Sequence, residues 1–456
     1  MDPSPHIFRE YDIRGIVGED LDAQVARSVG RAYATILGER TKTDHPRVVV
    51  GRDNRPSSPE LARAFGDGVI ESGGVVVDIG TVPTPVVYWA EPHLETHGGV
   101  VITGSHNPSE WNGIKLTMEG RALYGAGVKG LRDRIVSGTL RSGEGERSEK
   151  HVLDAYVEDL ASRISLPGPV RVAVDCGNGT SSVVAVQLLE AIGCEVLPLY
   201  CESDGTFPNH HPDPTVDENL KDLVALVRRE GAQVGIAFDG DGDRIGVVDD
   251  RGRVVRGDVL LLLFGLDLLD RRGKGQKLVF DVKCSQVLPQ VYEEHGGEWV
   301  MWKTGHSLIK EKMREVGAPL AGELSGHICF ADDYLGIDDA LYAACRLAQL
   351  AGGWSRSVSE AVDELPRFAS TPEIRLPVPE EDKVRIVEEA LTHFRDRYEV
   401  IDVDGVRVLF GDGWGLLRAS NTQPVLVARY EARSEERLRE IRNEVEGWLA
   451  EQGVDV

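Results

Sequence analysis

The hydrophobic pattern repeats one unit three times: an unbroken β-branched run, a short polar turn, an amphipathic stretch, a glycine and a second apolar run. The copies run from Arg47 through Asp53 to Gly73 through Asp78, from Arg171 through Cys176 to Gly193 through Leu197, and from Leu278 through Lys283 to Gly296 through Val300. Apolar runs without alternation read as strands buried on both faces, and an amphipathic stretch between two of them reads as a crossover helix. The spacing predicts three related α/β domains with mixed, mostly parallel sheets.

Beyond Leu365 the pattern stops. Pro372, Pro377 and Pro379 mark a linker into a smaller C-terminal α+β unit. Its last element is a helix: Ser434 is the expected N-cap, Glu435 and Glu436 fill the first turn, and Leu438, Ile441, Val445, Trp448 and Leu449 form one apolar stripe. The expected domain boundaries are 1–149, 150–253, 254–366 and 367–456.

Composition narrows the function. With 41% hydrophobic and 28% charged residues among 456, the chain reads as globular rather than disordered. A formal net charge of −24 excludes nucleic acid and anionic membrane as default partners, so a phosphorylated ligand needs a locally basic pocket. Cys176, Cys194, Cys201, Cys284, Cys329 and Cys345 are scattered without a CxxC pair and read as reduced, small buried residues. No apolar signal segment stands at the N-terminus, and the longest apolar stretch, Val259 to Leu266, is too short to span a bilayer. A cytoplasmic location is the expectation.

The most informative chemistry lies in Asp239-Gly-Asp-Gly-Asp-Arg244, between the strand patterns Val234 to Phe238 and Ile245 to Val248. Three carboxylates separated by single glycines can converge on one hard cation, magnesium being the natural choice. An EF-hand loop requires glycine sixth and flanking helices, whereas Arg244 is sixth here and the flanks are strands. Thr103-Gly-Ser-His-Asn-Pro108 tops the strand-like Gly98 to Ile102, and its Ser105 is either a phosphate carrier, with His106 and Lys115 nearby for anionic oxygens, or an ordinary turn residue. On spacing alone the turn is the simpler reading.

Gly322-Glu-Leu-Ser-Gly-His327 offers a carboxylate, a hydroxyl and an imidazole suited to sugar hydroxyls, or equally a loop that satisfies its own amides. Arg418-Ala-Ser-Asn-Thr-Gln-Pro424 gathers donors that can wrap a phosphate, or closes a polar turn. Phe8 to Gly15 and Lys303 to Lys310 add basic groups that spacing alone does not lift above solvated surface.

In combination and in order, these segments resemble the α-D-phosphohexomutase superfamily, in its bacterial phosphomannomutase/phosphoglucomutase branch, across essentially the whole chain. The resemblance implies four domains around a central active-site cleft. It implies phosphorylation of Ser105 and magnesium held by Asp239, Asp241 and Asp243, with Ser105 at the same ion. Glu323, Ser325 and His327 are implied to contact the sugar. Arg418, Ser420, Asn421 and Thr422 are implied to hold the substrate phosphate, and Tyr11, Arg14, Lys283 and His306 to join the site.

The implied reaction moves a phosphoryl group between the 1- and 6-positions of a mannose or glucose phosphate through a bound hexose 1,6-bisphosphate, with glucose 1,6-bisphosphate as activator. Arg244 and Lys115 would stabilise the transferring group, and His327, His306 and Lys115 are candidates for the base. The implied protein is a monomer or homodimer acting on a small sugar phosphate. Leu324, where phosphoglucosamine mutases carry glutamine, favours mannose and glucose. Phosphoglucosamine mutase, a magnesium phosphatase with an aspartate nucleophile, and a silent sugar-phosphate binder are the alternatives.

Overall fold

Each β-branched run that opens a repeat becomes an interior strand of its sheet, at Arg47–Arg52, Arg171–Asp175 and Lys277–Asp281. The computed structural model describes residues 3–420 and 424–456, so Asn421 and Thr422 lie outside the described residues. The chain divides into two units, Met1–Gly257 with Ser325–Glu360, and Asp258–Leu324 with Ala361–Val456.

In the first unit, strands β1 (Ile13–Ile16), β2 (Arg47–Arg52), β3 (Val75–Thr81), β4 (Gly98–Ile102), β5 (Trp111–Met118), β6 (Arg121–Ala122) and β7 (Glu146–Glu149) make one sheet. Its order is β1-β5-β4-β2-β3-β7, with β6 on β5. Strand β2 runs parallel to both β3 and β4, while β5 runs antiparallel to β4 and β1. The chain steps from β2 outward to β3 and then back across β2 to β4, so the strand order reverses here. Such a reversal opens a crevice beyond the strand C-termini, where α/β sheets place ligands. Ser105 lies three residues beyond the end of β4.

The second sheet of this unit contains β8 (Arg171–Asp175), β9 (Glu195–Leu199), β10 (Val234–Phe238), β11 (Ile245–Asp249) and β12 (Val254–Val255), in the order β12-β11-β10-β8-β9. The acidic loop closes the antiparallel β10–β11 pair, in which Phe238 faces Ile245, as the sequence predicts. The helix Ala340–Gly353, far along the chain, packs on β10 and β11.

In the second unit, β13 (Lys277–Asp281) pairs in parallel with both β14 (Glu298–Trp302) and β15 (Leu320–Gly322). The C-terminal sheet is antiparallel in its pairings and shares a core with the helices Asp382–Arg395 and Glu435–Glu451. The Ser434 hydroxyl accepts the Arg437 N–H, and the predicted stripe from Leu438 to Leu449 is buried. Among the described residues no helix is long and apolar enough to cross a membrane.

Candidate active site

The first unit brings the serine loop onto the acidic loop. Ser105 is 2% exposed and takes a left-handed backbone, φ 50°, which costs a non-glycine residue about 1–2 kcal/mol. Its N–H donates to Thr103 Oγ1 at 2.8 Å, and its carbonyl accepts from Arg55 Nη2 at 2.7 Å. The hydroxyl oxygen lies 3.1 Å from His106 Nδ1 and donates to Asp239 Oδ2 at 3.3 Å. Close approach of the loops depends on Gly240, since a Cβ there would fall 2.4 Å from the Ser105 carbonyl oxygen.

The three aspartates are fully buried. Asp239 Oδ1 ties the loop by accepting the N–H groups of Gly242, Asp243 and Arg244 at 3.0, 3.1 and 3.2 Å. Lys115 Nζ donates to Asp241 Oδ2 at 2.7 Å and Asp243 Oδ2 at 2.5 Å, and Thr84 Oγ1 donates to Asp241 Oδ2 at 2.6 Å. Burial raises the Asp239 carboxyl well above its usual range, and its neighbours Asp243 and Asp241 push the same way. Burial also opposes ionisation of Asp243, but Lys115, His327 and Arg244 outweigh it and hold that carboxyl well below. Against the desolvation penalty, Asp241 and Asp243 hold Lys115 well above its ordinary value. Burial, then Arg244 and Arg14, push His106 well below the usual imidazole value, which leaves it neutral.

The triad fits a divalent cation. One ligand atom from each of Asp239, Asp241 and Asp243 lies within 4.8 Å of the others. Asp241 Oδ1 is buried without a hydrogen bond, an arrangement that is costly unless something positive meets it. The donors are all oxygens, the preference of magnesium.

Around this centre, His327 Nε2 lies 3.3 Å from Asp243 Oδ1 and 3.3 Å from Arg244 Nε, with Ser325 Oγ 3.2 Å from Nδ1. Arg14 donates to Asn107 Oδ1 on the serine loop at 2.9 Å and to Asp12 at 2.6 Å. Tyr11 is half-buried just before β1. The first unit therefore assembles Ser105, His106, Lys115, Arg14, the three aspartates, Arg244, Ser325 and His327.

The second unit assembles another set. Lys283 Nζ lies 3.2 Å from Glu373 Oε2 and 3.8 Å from Asp281 Oδ2. Burial works against its charge, but Glu373, Asp281 and Glu323 outweigh burial and raise it. Glu323 Oε1 accepts the Gly305 N–H at 2.6 Å, one residue before His306 opens its helix. Asp404 Oδ2 accepts from Arg418 Nε at 2.9 Å and from the Thr304 N–H at 3.0 Å, so it couples two predicted segments. Ser420 is buried, and its carbonyl accepts from Lys383 Nζ at 2.7 Å.

Sequence reading missed Arg55, Asp53, Thr84, Asp281, Glu373 and Asp404. Arg55 is 1% exposed and donates to the carbonyls of Ser105, Asn107, Pro108 and Trp111, while Asp53 Oδ2 accepts from Arg55 Nε and the Gly104 N–H. Asp53 directly follows a buried strand and Arg55 comes two residues later, a position that any solvated turn shares.

The chain matches four family models described as phosphoglucomutase/phosphomannomutase: alpha/beta/alpha domain I over residues 5–139, domain II over 154–252, domain III over 256–368, and the C-terminal domain over 373–447. It is 48% identical over 438 residues to a phosphomannomutase/phosphoglucomutase of Pseudomonas aeruginosa, covering 96% of this chain and 94% of that one. It is 42% identical over 445 residues to a phosphoglucomutase of Neisseria gonorrhoeae, covering 96% and 95%. A crystal structure of a phosphoglucomutase/phosphomannomutase family protein from Burkholderia thailandensis superposes with a TM-score of 0.93 at 42% identity, covering 99% of each chain.

Proposed function

Since this chain belongs to the phosphoglucomutase/phosphomannomutase family, we propose that its hexose-phosphate mutase reaction interconverts the 1- and 6-phosphates of mannose and glucose through phospho-Ser105 and a bound hexose 1,6-bisphosphate. The observation that carries the reading is the Ser105 hydroxyl, 3.3 Å from Asp239 in a buried triad whose Asp241 Oδ1 has no hydrogen bond.

In the forward step, the free hydroxyl of the sugar phosphate attacks phosphorus on Ser105, the Oγ–P bond breaks, and Oγ recovers a proton. The bisphosphate then presents its other phosphoryl group to Ser105 Oγ. Asp239, Asp241 and Asp243 would hold magnesium, which when bound supplies positive charge to the transferring oxygens. Lys115 bridges Asp241 and Asp243 and holds them adjacent, and neutral His106 places a ring nitrogen at Oγ. Arg244 supplies a guanidinium beside the acidic loop. His327, His306 and Lys115 are the candidates for proton transfer.

Glu323 and Ser325 suit sugar hydroxyls; Arg418 and Ser420, with Asn421 and Thr422, suit the phosphate that is not reacting; Tyr11, Arg14 and Lys283 complete the set. Glucose 1,6-bisphosphate would reload Ser105. We take the protein to be cytoplasmic, a monomer or homodimer, without nucleic-acid or membrane partners.

Intact-mass measurement with and without hexose 1-phosphate tests the carrier. One phosphate on Ser105, removed by substrate, is the expected result; full turnover by Ser105→Ala would sink it. Steady release of inorganic phosphate would identify a phosphatase instead, and faster turnover of glucosamine phosphate would overturn the sugar assignment drawn from Leu324.

A further inference from the structure

Cys176 and Cys201, which read as unrelated buried residues in the sequence, meet in the fold. Strands β8 and β9 pair in parallel with Asp175 opposite Leu199, so the residues after them emerge side by side. The Cys176 N–H donates to the Leu199 carbonyl at 3.2 Å, and the two sulfurs lie 3.1 Å apart. Cys176 is buried; Cys201 is the one cysteine of the six that is partly exposed. The side-chain contact with Cys176 holds the Cys201 thiol below its usual value, while the same contact raises Cys176. Cys201 is thus both the more accessible sulfur and the more easily ionised.

The pair stands at the root of the segments that clasp the acidic loop. On one side, the Gly179 N–H donates to the Cys176 carbonyl at 2.7 Å and the Thr180 N–H donates to the Gly240 carbonyl at 2.9 Å. On the other, Asp175, adjacent to Cys176, lies 3.0 Å from His210 Nε2, and the Pro212 carbonyl accepts the Gly240 N–H at 3.1 Å. Gly240 separates Asp239 from Asp241. A movement at Cys176 therefore has two short routes to the aspartates.

We propose that Cys176 and Cys201 form a reversible oxidative modification site, in which a peroxide converts the two thiols to a disulfide that slows turnover through the segments clasping Gly240. The Cys201 thiolate attacks one peroxide oxygen, the O–O bond breaks, and a sulfenic acid and water result. The Cys176 sulfur then attacks Cys201 Sγ, the S–O bond breaks, and the hydroxyl leaves as water with the Cys176 proton. Two thiols and one hydrogen peroxide give one disulfide and two waters. Bond formation draws the sulfurs from 3.1 Å to about 2.05 Å. A shift of this size, relayed to Gly240 through these links, is enough to cost about tenfold or more in rate. The effect on rate rests on the mutase reading; formation of the bond does not.

The full-length protein is treated with hydrogen peroxide, digested without reductant and mapped by mass spectrometry, while hexose-phosphate turnover is followed before treatment, after it and after dithiothreitol. A linked Cys176–Cys201 peptide is expected, with turnover down about tenfold and restored by the reductant. Cys201→Ser should turn over normally when reduced and resist peroxide. The proposal falls if the linked peptide does not form, if it forms without changing turnover, or if Cys201→Ser loses activity to peroxide as wild type does. Reduced wild type that turns over no hexose phosphate sinks the mutase reading and with it the effect on rate, leaving the disulfide to stand or fall on the peptide map.

Discussion

At the residue scale, Arg55 shows how one buried side chain can hold the strained loop that carries Ser105. Its guanidinium joins four carbonyls between Ser105 and Trp111, and its charge is balanced by Asp53, which also accepts the Gly104 N–H. The left-handed backbone of Ser105 persists because these contacts over-determine it. Arg55→Met should therefore destabilise the protein by about 3–5 kcal/mol, because Asp53 is left buried without its partner. It should also lower kcat more than tenfold, with Arg55→Lys recovering part of each. Thermal melts and steady-state kinetics check this, and unchanged kcat in Arg55→Met would remove Arg55 as a positioning residue. Arg55 was illegible because Asp53-Asn54-Arg55 has the composition of a solvated turn, and its partners lie 50 to 56 residues away.

At the scale of elements, both chemistry-bearing loops of the first unit were legible, since each is bounded by apolar strands that periodicity reveals locally. Their mutual contact was not. Gly240 reads in the sequence as freedom for a tight turn, but its backbone is not left-handed; it serves instead by lacking a Cβ where the Ser105 carbonyl approaches. Gly240→Ala should lower turnover at least tenfold, with a stability loss of about 1–3 kcal/mol from overpacking. Wild-type turnover in that variant would show that the two loops need not touch. The helix Ala340–Gly353 offers a second test through its N-cap, Asp339, which accepts the Tyr342 N–H at 2.9 Å and the hydroxyls of Tyr156 and Tyr334 at 2.9 and 2.7 Å. Burial nevertheless pushes its carboxyl from 3.8 up to about 6. The folded state keeps a proton there that the unfolded chain releases, so this group's contribution to stability falls as pH rises through that window, by about 3 kcal/mol in total. Asp339→Asn, which can still cap the helix, should remove that slope. Urea midpoints across the window, wild type against variant, measure it, and parallel curves would refute the shift.

At the scale of the whole molecule, local periodicity located the strands and the C-terminal helix, but it could not report which distant segments share a core. The boundary expected at residue 253 falls between the stretches matched as domains II and III, 154–252 and 256–368, and within the fold Ser325–Glu360 packs with the first unit. Within that segment the helix Ala340–Gly353 is buried along most of its length, from Ala340 through Ala348 and again at Leu350 and Ala351. Its Asp339 cap receives the Tyr156 hydroxyl, and the Ser359 hydroxyl donates to Asp250 at 2.9 Å. A chain ending at Gly257 loses all of these contacts and exposes the surfaces of β10 and β11 on which the helix packs. Each large apolar side chain left unburied costs about 1.5–3 kcal/mol, against the 5–15 kcal/mol that holds a typical domain together. The fragment 1–257 should therefore lack a cooperative urea transition and expose apolar surface to a hydrophobic dye. Adding residues 325–360 back through a flexible linker should restore both cooperativity and dye exclusion. A sharp, native-like transition in the fragment alone would instead mean that the late helix is an accessory to a core already complete.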